Sequence, residues 1–318
     1  CEMYKGHPFV YRSVEDIKKD IDTVKAMVDE IQDVSWKTGQ GGKLNREVLR
    51  ALLSIDPYLN ENPCFSNVFS WLYYGGKTAF LQDANSMIMR PPEFIEVLTH
   101  LRKTLPGLNR VTSYTRSKTL AQRKLEVLTA IRQAGLDRIH VGLETGDDEI
   151  LKLVRKGVTS AEQIEGGKKA MAAGFQLSEY WMPDLGGRER WRQHAENTAR
   201  VLNEINPHYI RSRPFVPRQG SEIFDDYASG RLHISSPHER LQELQVMIEN
   251  LKVTSHVCFD HNMNSWTNRQ GGLLFSLDYE GYKFPEEKPR VLELIREGLT
   301  VDESRHIDIK ELIALGSL

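Results

Sequence analysis

Hydrophobic and polar positions follow two alternating periods along most of this chain. Short runs of period two, such as Ile139, Val141 and Leu143 set between His140 and Gly142, are typical of buried strands. After each such run comes a stretch whose apolar residues recur at helical spacing. Five consecutive cycles of strand and helix predict a parallel sheet with helical crossovers, closed or partly closed as a barrel.

The predicted elements cover nearly the whole chain. A Gly-rich and Pro-punctuated stretch at about 36–76 contains no strand and is predicted to be an insertion into a barrel formed by residues 1–230. Residues 231–318 are predicted to form a helical extension that covers the barrel and its substrate side. Strands are predicted at 77–85, 110–115, 138–143, 175–182 and 208–215, with a strand-like run at 253–259, and helices at 13–34, 45–53, 91–105, 119–134, 147–155, 160–173, 188–205 and 237–251.

The composition is that of an ordinary globular protein. Of the 318 residues, 40% are hydrophobic and 27% charged, which is enough for a sizeable core. A net charge of −2 gives no electrostatic indication of a nucleic-acid partner. No apolar run approaches the roughly 20 residues that span a bilayer. We therefore expect a cytoplasmic protein with no membrane partner.

The three cysteines lie far apart and form no metal motif among themselves. Cys64 and Cys258 fit a reducing compartment, and we interpret the group of His256, Cys258 and His261 as a buried cysteine flanked by polar loop residues. Cys1 stands where a natural chain has methionine, so we expect either processing or a start partway along a longer protein. The residues after it do not form the small, polar tether of a lipoprotein.

Polar side chains at the carboxyl ends of the predicted strands form a candidate site, because chemistry collects at that end of a parallel barrel. Glu144 ends one strand, and Lys156 lies in the predicted last turn of the next helix. Such a pair could bind a ribose diol and a carboxylate, although acids that cap surface helices are far commoner. The predicted mouth comprises Asp83, Asn85, Ser113, Tyr114, Glu144, Tyr180, Met182, Arg211 and Arg213.

Two arginines stand out at the end of the last strand of the series. Arg211 and Arg213 alternate with Ser212, so both point to the same face of the sheet. If that face is the lumen, two cations without local acids suggest an anionic substrate or the carboxylate of a cofactor. If it is the outside, they are simply solvated.

Several segments resemble the radical S-adenosylmethionine (SAM) superfamily. CEMYKGHPF (1–9) followed by RSVEDIKKDI (12–21) resembles the end of a CxxxCxxC cluster loop, with Cys1 as its third cysteine. GLETGDDEILKLVRKG (142–157) is the sharpest part of the resemblance, and RSRPFVPRQGSEIFDDYASG (211–230) resembles the end of the sixth strand and its turn. The similarity is closest to the branch that contains the elongator catalytic subunit, tRNA methylthiotransferases and oxygen-independent coproporphyrinogen oxidase.

The resemblance implies a fold, an activity and cofactors. The fold would be a partial (β/α)6 TIM-like barrel of the α/β class, with its first strand and two cluster cysteines missing from the chain as given. The activity would be that of an oxidoreductase or transferase in which a [4Fe-4S] cluster cleaves SAM to a 5′-deoxyadenosyl radical. That radical would abstract hydrogen from an unidentified substrate, a small molecule or a peptide, and flavodoxin or ferredoxin would supply the electron.

The resemblance also implies roles for individual residues. Lys156 occupies a position where the family usually has arginine, so the charge is kept and the bidentate fork is lost. The strand end QDAN (82–85) departs from the family's GGE-like loop. Cys1 would bind the cluster, Glu179 and Arg213 would contact substrate, and SAM would contact Asp83, Asn85, Ser113, Tyr114, Glu144, Lys156, Tyr180, Met182 and Arg211.

Two alternatives remain open at this point. In a non-redox barrel lyase or hydrolase, Glu144, Asp83 and Arg211 would perform acid–base work on an anionic metabolite without iron. A chain that keeps the fold but has lost the cluster would instead serve as a binding module.

Overall fold

A computed structural model describes Gly6 and residues 8–82, 85–264 and 266–314. Cys1 and Asp83 lie outside these residues, so the roles expected of them stay predictions. In the described part, no helix is long and apolar enough to cross a membrane.

A single seven-stranded sheet organises the molecule. Its strands follow sequence order from β1 to β7, and all neighbours are parallel except the last pair. Helical crossovers between parallel strands confirm the predicted α/β class and the partial barrel. The strands are β1 Thr78–Leu81, β2 Arg110–Thr115, β3 Arg138–Glu144, β4 Gln176–Trp181, β5 Tyr209–Ser212, β6 His256–Cys258 and β7 Tyr282–Lys283.

Thirteen helices are found in the described part of the chain. Most begin at a side-chain cap, as at Ser13, whose hydroxyl accepts a hydrogen bond from the Asp16 amide at 3.0 Å. The helices are α1 Val14–Lys37, α2 Arg46–Ile55, α3 Pro63–Tyr73, α4 Pro91–Thr104, α5 Ser117–Gln122, α6 Leu125–Gln133, α7 Asp148–Leu153, α8 Ser160–Ala172, α9 Gly187–Ile205, α10 Glu222–Ala228, α11 Pro237–Asn250, α12 Lys288–Thr300 and α13 Ile309–Ala314.

Helix α3 lies in the Pro-punctuated insertion, at a place where no helix was predicted. Asn62 and Pro63 start this helix. The Asn62 side chain accepts hydrogen bonds from the amides of Cys64 and Phe65 at 2.9 and 3.2 Å, and Pro63 occupies the first helical position. Helices α1, α2 and α3 then share a small apolar core of their own.

The predicted helix at 119–134 is two helices, α5 and α6. Arg123 adopts an extended backbone between them. Its guanidinium donates to the carbonyls of Met87 and Met89, which lie beyond the end of β1. This contact joins residues more than 30 positions apart, so the local sequence pattern does not predict it. It holds Arg123 in the extended conformation that separates α5 from α6.

The two faces of the sheet differ in character. Alternate residues such as Ile139, Val141 and Leu177 pack against the helices in the main hydrophobic core. The other face, which we call the lumen, carries polar and aromatic side chains. The sheet also continues past the predicted barrel end at residue 230, since β6 pairs with β5 in parallel, with Tyr209 opposite His256.

Candidate active site

Glu144 and Lys156 form an ion pair at the carboxyl end of β3. Lys156 Nζ lies 2.8 Å from Glu144 Oε1. Helix α7 ends at Leu153, and positive φ angles of 50° at Arg155 and 72° at Gly157 turn the chain back toward the strand. Lys156 therefore lies in the turn after α7 and not in its last helical turn, which corrects the predicted placement. Both side chains stay partly exposed, at 20% for Lys156 and 23% for Glu144.

Glu144 has a left-handed backbone, with φ of 64°. This conformation costs a non-glycine residue about 1–3 kcal/mol and persists only where the surroundings enforce it. Here the Glu144 carbonyl accepts from the Met182 amide at 2.9 Å, and the Leu143 carbonyl accepts from Gln163 Nε2 at 2.8 Å. The register between β3 and β4 shifts at the same point. Such strain clusters at functional sites.

The conformation of Glu144 directs its carboxylate over Gly142. A Cβ atom added to Gly142 would lie 2.2 Å from Glu144 Oε1 and 3.1 Å from Lys156 Nζ. The ion pair therefore fills the space above Gly142, and a side chain at this position would displace the Glu144 carboxylate.

Four rings from four adjacent strands line the lumen, and we call them the ring layer: Phe80, Tyr114, His140 and Tyr180. Their centroids lie 4.8 Å apart from Phe80 to Tyr114, 5.9 Å from Tyr114 to His140 and 5.2 Å from His140 to Tyr180. Phe80 is 37% exposed, whereas His140 is only 2% exposed. The layer presents aromatic surface to the lumen from β1 to β4.

Arg211 and Arg213 share one face of the sheet, as their alternation predicts. That face is the lumen, and the two arginines share one carboxylate. Arg211 Nη1 lies 2.7 Å from Asp260 Oδ2, and Arg213 Nη1 lies 3.1 Å from Asp260 Oδ1. Arg213 also lies over the Tyr180 ring at 4.7 Å. The expectation that these cations have no local acid was wrong, because Asp260 follows β6 and comes from about 50 residues further along the chain.

Two further arginines lie deeper in the lumen, near the amino ends of the strands. Arg138 lies over the Tyr209 ring at 4.5 Å and donates to the Tyr279 hydroxyl at 2.8 Å. Arg110 lies 5.9 Å from the Tyr279 ring centroid, and Arg211 lies 3.9 Å from it. Among the residues described, no ion pair joins Arg110 or Arg138 to a carboxylate. Together with Arg211 and Arg213, they are the lumen arginines.

Burial and the lumen arginines together set the protonation state of His140. Burial, followed by the positive charges of Arg211, Arg138, Arg213 and Arg110, lowers the pKa of His140 to about 3. Its imidazole is therefore neutral at physiological pH. His140 Nδ1 has no hydrogen-bond partner in the described structure.

Two predicted site residues lie on the helix side of the sheet, away from the lumen. Ser113 shares its face with the core residue Val111, and its hydroxyl donates to the Tyr114 carbonyl at 3.1 Å. Glu179 shares its face with Leu177 and is almost fully buried. Burial, followed by the charge of Glu144, raises the pKa of Glu179 well above its usual range.

Asn85 and Met182 lie near the mouth but are used within the protein. Asn85 accepts from Thr115 Oγ1 at 3.1 Å and donates to Thr119 Oγ1 at 3.0 Å, so it ties the end of β1 to the end of β2. Met182 is partly buried against a small apolar cluster that includes Phe215. The structure therefore gives both residues a structural contact at the rim.

The charged pair at the mouth matches two groups of SAM. The paired carboxylate and ammonium can meet a ribose diol and an amino-acid carboxylate, and both are reachable. For a [4Fe-4S] cluster the fit depends on Cys1. Cys64 is exposed and distant along the chain, and burial raises the pKa of the Cys258 thiol to about 12. Between Gly6 and residue 314, the described residues contain no group of three metal-ligating side chains.

A family match covers the central part of this chain. Residues 72–190 match the Radical SAM superfamily. The chain carries a radical SAM domain. The matched segment holds β1 to β4, the ring layer and the Glu144–Lys156 pair, so the predicted recognition is confirmed. No curated protein matches the sequence.

Several solved structures are similar to this chain. An N-terminally deleted Elp3 from the archaeon Methanocaldococcus infernus matches 77% of this chain and 60% of its own at a TM-score of 0.51 and 13% identity. HemN, the coproporphyrinogen III oxidase of Escherichia coli, matches 54% of this chain and 39% of its own at a TM-score of 0.43 and 15% identity. Methylornithine synthase (PylB) matches 86% of this chain and 83% of its own at a TM-score of 0.41 and 14% identity. The similarity to Elp3 supports the fold alone.

The sequence interpretation missed several lumen residues, among them Arg138, His140, Asp260 and Tyr279. A signal for two of them was present, since Arg138 and His140 precede Glu144 by six and four residues and therefore share its face. Asp260 and Tyr279 come from the segment around β6 and β7, where the barrel pattern is weak.

Proposed function

We propose that this protein is a radical SAM enzyme that binds SAM at the carboxyl end of β3 and a substrate in the lumen below it. When bound, SAM and a reduced [4Fe-4S] cluster with Cys1 among its ligands supply a 5′-deoxyadenosyl radical that abstracts hydrogen from the substrate. The observation that carries this proposal is the strained Glu144, paired with Lys156 over Gly142 within the matched segment.

Each member of the pair has a distinct task. The Glu144 carboxylate accepts hydrogen bonds only, which suits the two hydroxyls of a ribose. The Lys156 ammonium donates three and suits a carboxylate. Without a ligand, the two side chains pair with each other at 2.8 Å. When SAM binds, this partly exposed ion pair is replaced by contacts of Glu144 and Lys156 with the ligand, which are of the same chemical kind.

The remaining predicted contacts follow from position. Tyr114 and Tyr180 are partly buried and offer ring faces to an adenine or a substrate. Asn85 and Ser113 act by holding the strand ends on which the mouth is built. We further propose a cytoplasmic location and electron delivery by a flavodoxin or ferredoxin, as the superfamily chemistry requires a reductant.

The test is formation of 5′-deoxyadenosine by the full-length, anaerobically reconstituted and reduced protein, measured by liquid chromatography with mass spectrometry. Glu144→Gln keeps the shape of the side chain and removes its charge, so we expect the rate at subsaturating SAM to fall about tenfold or more. Glu149→Gln alters an exposed acid five residues away and should leave the rate unchanged. Equal rates for Glu144→Gln and the wild type would refute the assignment.

A further inference from the structure

We propose that the lumen binds a substrate with an oxyanion, a carboxylate or a phosphate, joined to a planar group that lies on the ring layer. The inference rests on the function proposed above and names the class of its substrate. It stands on three observations: an excess of positive charge, unpartnered buried donors and one reachable arginine beside exposed ring faces.

Positive charge exceeds negative charge in the lumen. Asp260 serves both Arg211 and Arg213, and no described carboxylate pairs with Arg110 or Arg138. Glu144 is already paired with Lys156. Glu280, which accepts from the Tyr209 hydroxyl at 2.6 Å, adds one further negative charge, but the five cations still outnumber the three carboxylates, and such an excess attracts anions.

Buried polar atoms without partners line the same space. Arg211 is fully buried, and its Nη2 atom has no hydrogen-bond partner in the described structure. His140 is 2% exposed, and its Nδ1 atom likewise has none. Since buried polar groups are almost always hydrogen-bonded, each such atom demands an explanation. Arg211 Nη2 can only donate, and His140 Nδ1 donates in one of its two neutral tautomers, so an oxyanion would be a suitable acceptor for both.

Arg213 is a reachable cation beside the ring layer. A quarter of its side chain is exposed, and its contact with Asp260, at 3.1 Å, is longer than the 2.7 Å contact that Asp260 makes with Arg211. Arg213 can therefore exchange Asp260 for a ligand while Asp260 keeps Arg211 as its partner. A guanidinium also suits carboxylate and phosphate because it binds both in a bidentate fork.

The ring layer defines the rest of the ligand. Arg213 lies over the Tyr180 ring at 4.7 Å, so an anion bound to Arg213 lies beside that ring. Phe80 is more than one-third exposed, and Tyr114 and Tyr180 are partly exposed. The ligand class is therefore a planar group with an attached oxyanion.

The experiment is a saturation-transfer NMR titration of the full-length, reconstituted protein with small probes in the absence of SAM. The probes are benzoate and phenyl phosphate, with benzamide as the neutral analogue and acetate as the analogue without a ring. We expect at least one of the two aryl anions to bind about tenfold more tightly than benzamide and acetate. Which aryl anion binds more tightly then assigns the oxyanion as carboxylate or phosphate.

Variants locate the probe. Arg213→Met should weaken binding of the preferred aryl anion about tenfold, Arg213→Lys should weaken it less, and Tyr180→Leu should weaken aryl anions more than acetate. Arg192→Met removes an exposed arginine on α9 and serves as the matched control. Equal binding of benzoate, phenyl phosphate and benzamide by the wild type would overturn the inference, and so would wild-type affinity in Arg213→Met.

The two proposals fail separately. A protein that forms 5′-deoxyadenosine but does not prefer aryl anions refutes the substrate class alone. A protein that prefers aryl anions but forms no 5′-deoxyadenosine refutes the radical SAM activity alone. Because the comparison of benzoate with benzamide uses the wild type, the inference stays testable even if a variant fails to fold.

Discussion

Gly142 illustrates how one residue at the strand end controls the site. Its backbone lies outside the left-handed region, so an alanine can adopt the same conformation. The obstacle is space, because the added methyl group would lie 2.2 Å from Glu144 Oε1. The Glu144 side chain would have to move, and its pairing with Lys156 would be lost.

We therefore expect Gly142→Ala to fold and to bind SAM about tenfold more weakly, as judged by equilibrium binding and by the thermal midpoint. Gly107→Ala is the matched control, since Gly107 has an ordinary φ and no atom within 4 Å of the added methyl group. If Gly142→Ala binds SAM as tightly as the wild type, the Glu144–Lys156 pair does not contribute to the SAM site.

At the scale of elements, a buried polar network joins the loop after β4 to helices α9 and α11. His194 Nδ1 lies 2.5 Å from Glu243 Oε1, and Glu243 Oε2 accepts from the Asp184 amide at 2.7 Å. Asp184 in turn accepts from the Ser235 amide at 3.2 Å. His194 also contacts the Glu144 carbonyl at 3.5 Å, so the network reaches the strained strand end.

This network makes stability depend on pH. Burial, opposed by the charge of Arg240, raises the pKa of Asp184 to about 7. The folded state therefore holds a proton that the unfolded state, with a pKa of about 3.9, has released. The protonated Asp184 therefore contributes fully to the free energy of unfolding below about pH 4, and this contribution is lost as pH rises toward 7.

Asp184→Asn should remove that dependence. Asparagine tolerates the φ of 71° at this position and keeps an acceptor for Ser235. Between pH 4 and 7 we expect the wild type to lose about 2–4 kcal/mol of unfolding free energy relative to the variant, measured by urea denaturation. A constant difference between wild type and Asp184→Asn across this range would contradict the burial argument, and Asp29→Asn, at an exposed acid, is the control.

The elements were largely predictable because their signals are local. Strands β2 and β3 were predicted from runs of period two. Helices α1 and α7 were predicted to start at residues 13 and 147, where the structure has the caps Ser13 and Asp147. The predictions that were wrong concern features that depend on contacts between distant residues or on the geometry of a turn. The break at Arg123 depends on the carbonyls of Met87 and Met89, and the turn that returns Lys156 depends on a left-handed Arg155.

At the scale of the whole molecule, the lumen is formed by residues that lie far apart in the sequence. Asp260 and Tyr279 come from the segment that follows the predicted barrel, and Arg138 meets Tyr279 across 141 residues. No local period reports such a contact, so the sequence indicated the mouth at Glu144 but not the charge balance beneath it. The region beyond residue 230 is therefore part of the candidate site, not only a cover over it.

The most direct test of the central claim is electron paramagnetic resonance of the full-length, anaerobically reconstituted and dithionite-reduced protein, recorded with and without SAM. The account predicts a [4Fe-4S]⁺ signal that shifts when SAM is added, and a smaller change in Glu144→Gln at the same SAM concentration. A folded, full-length protein that assembles no cluster, or a cluster signal that SAM does not change, would contradict it.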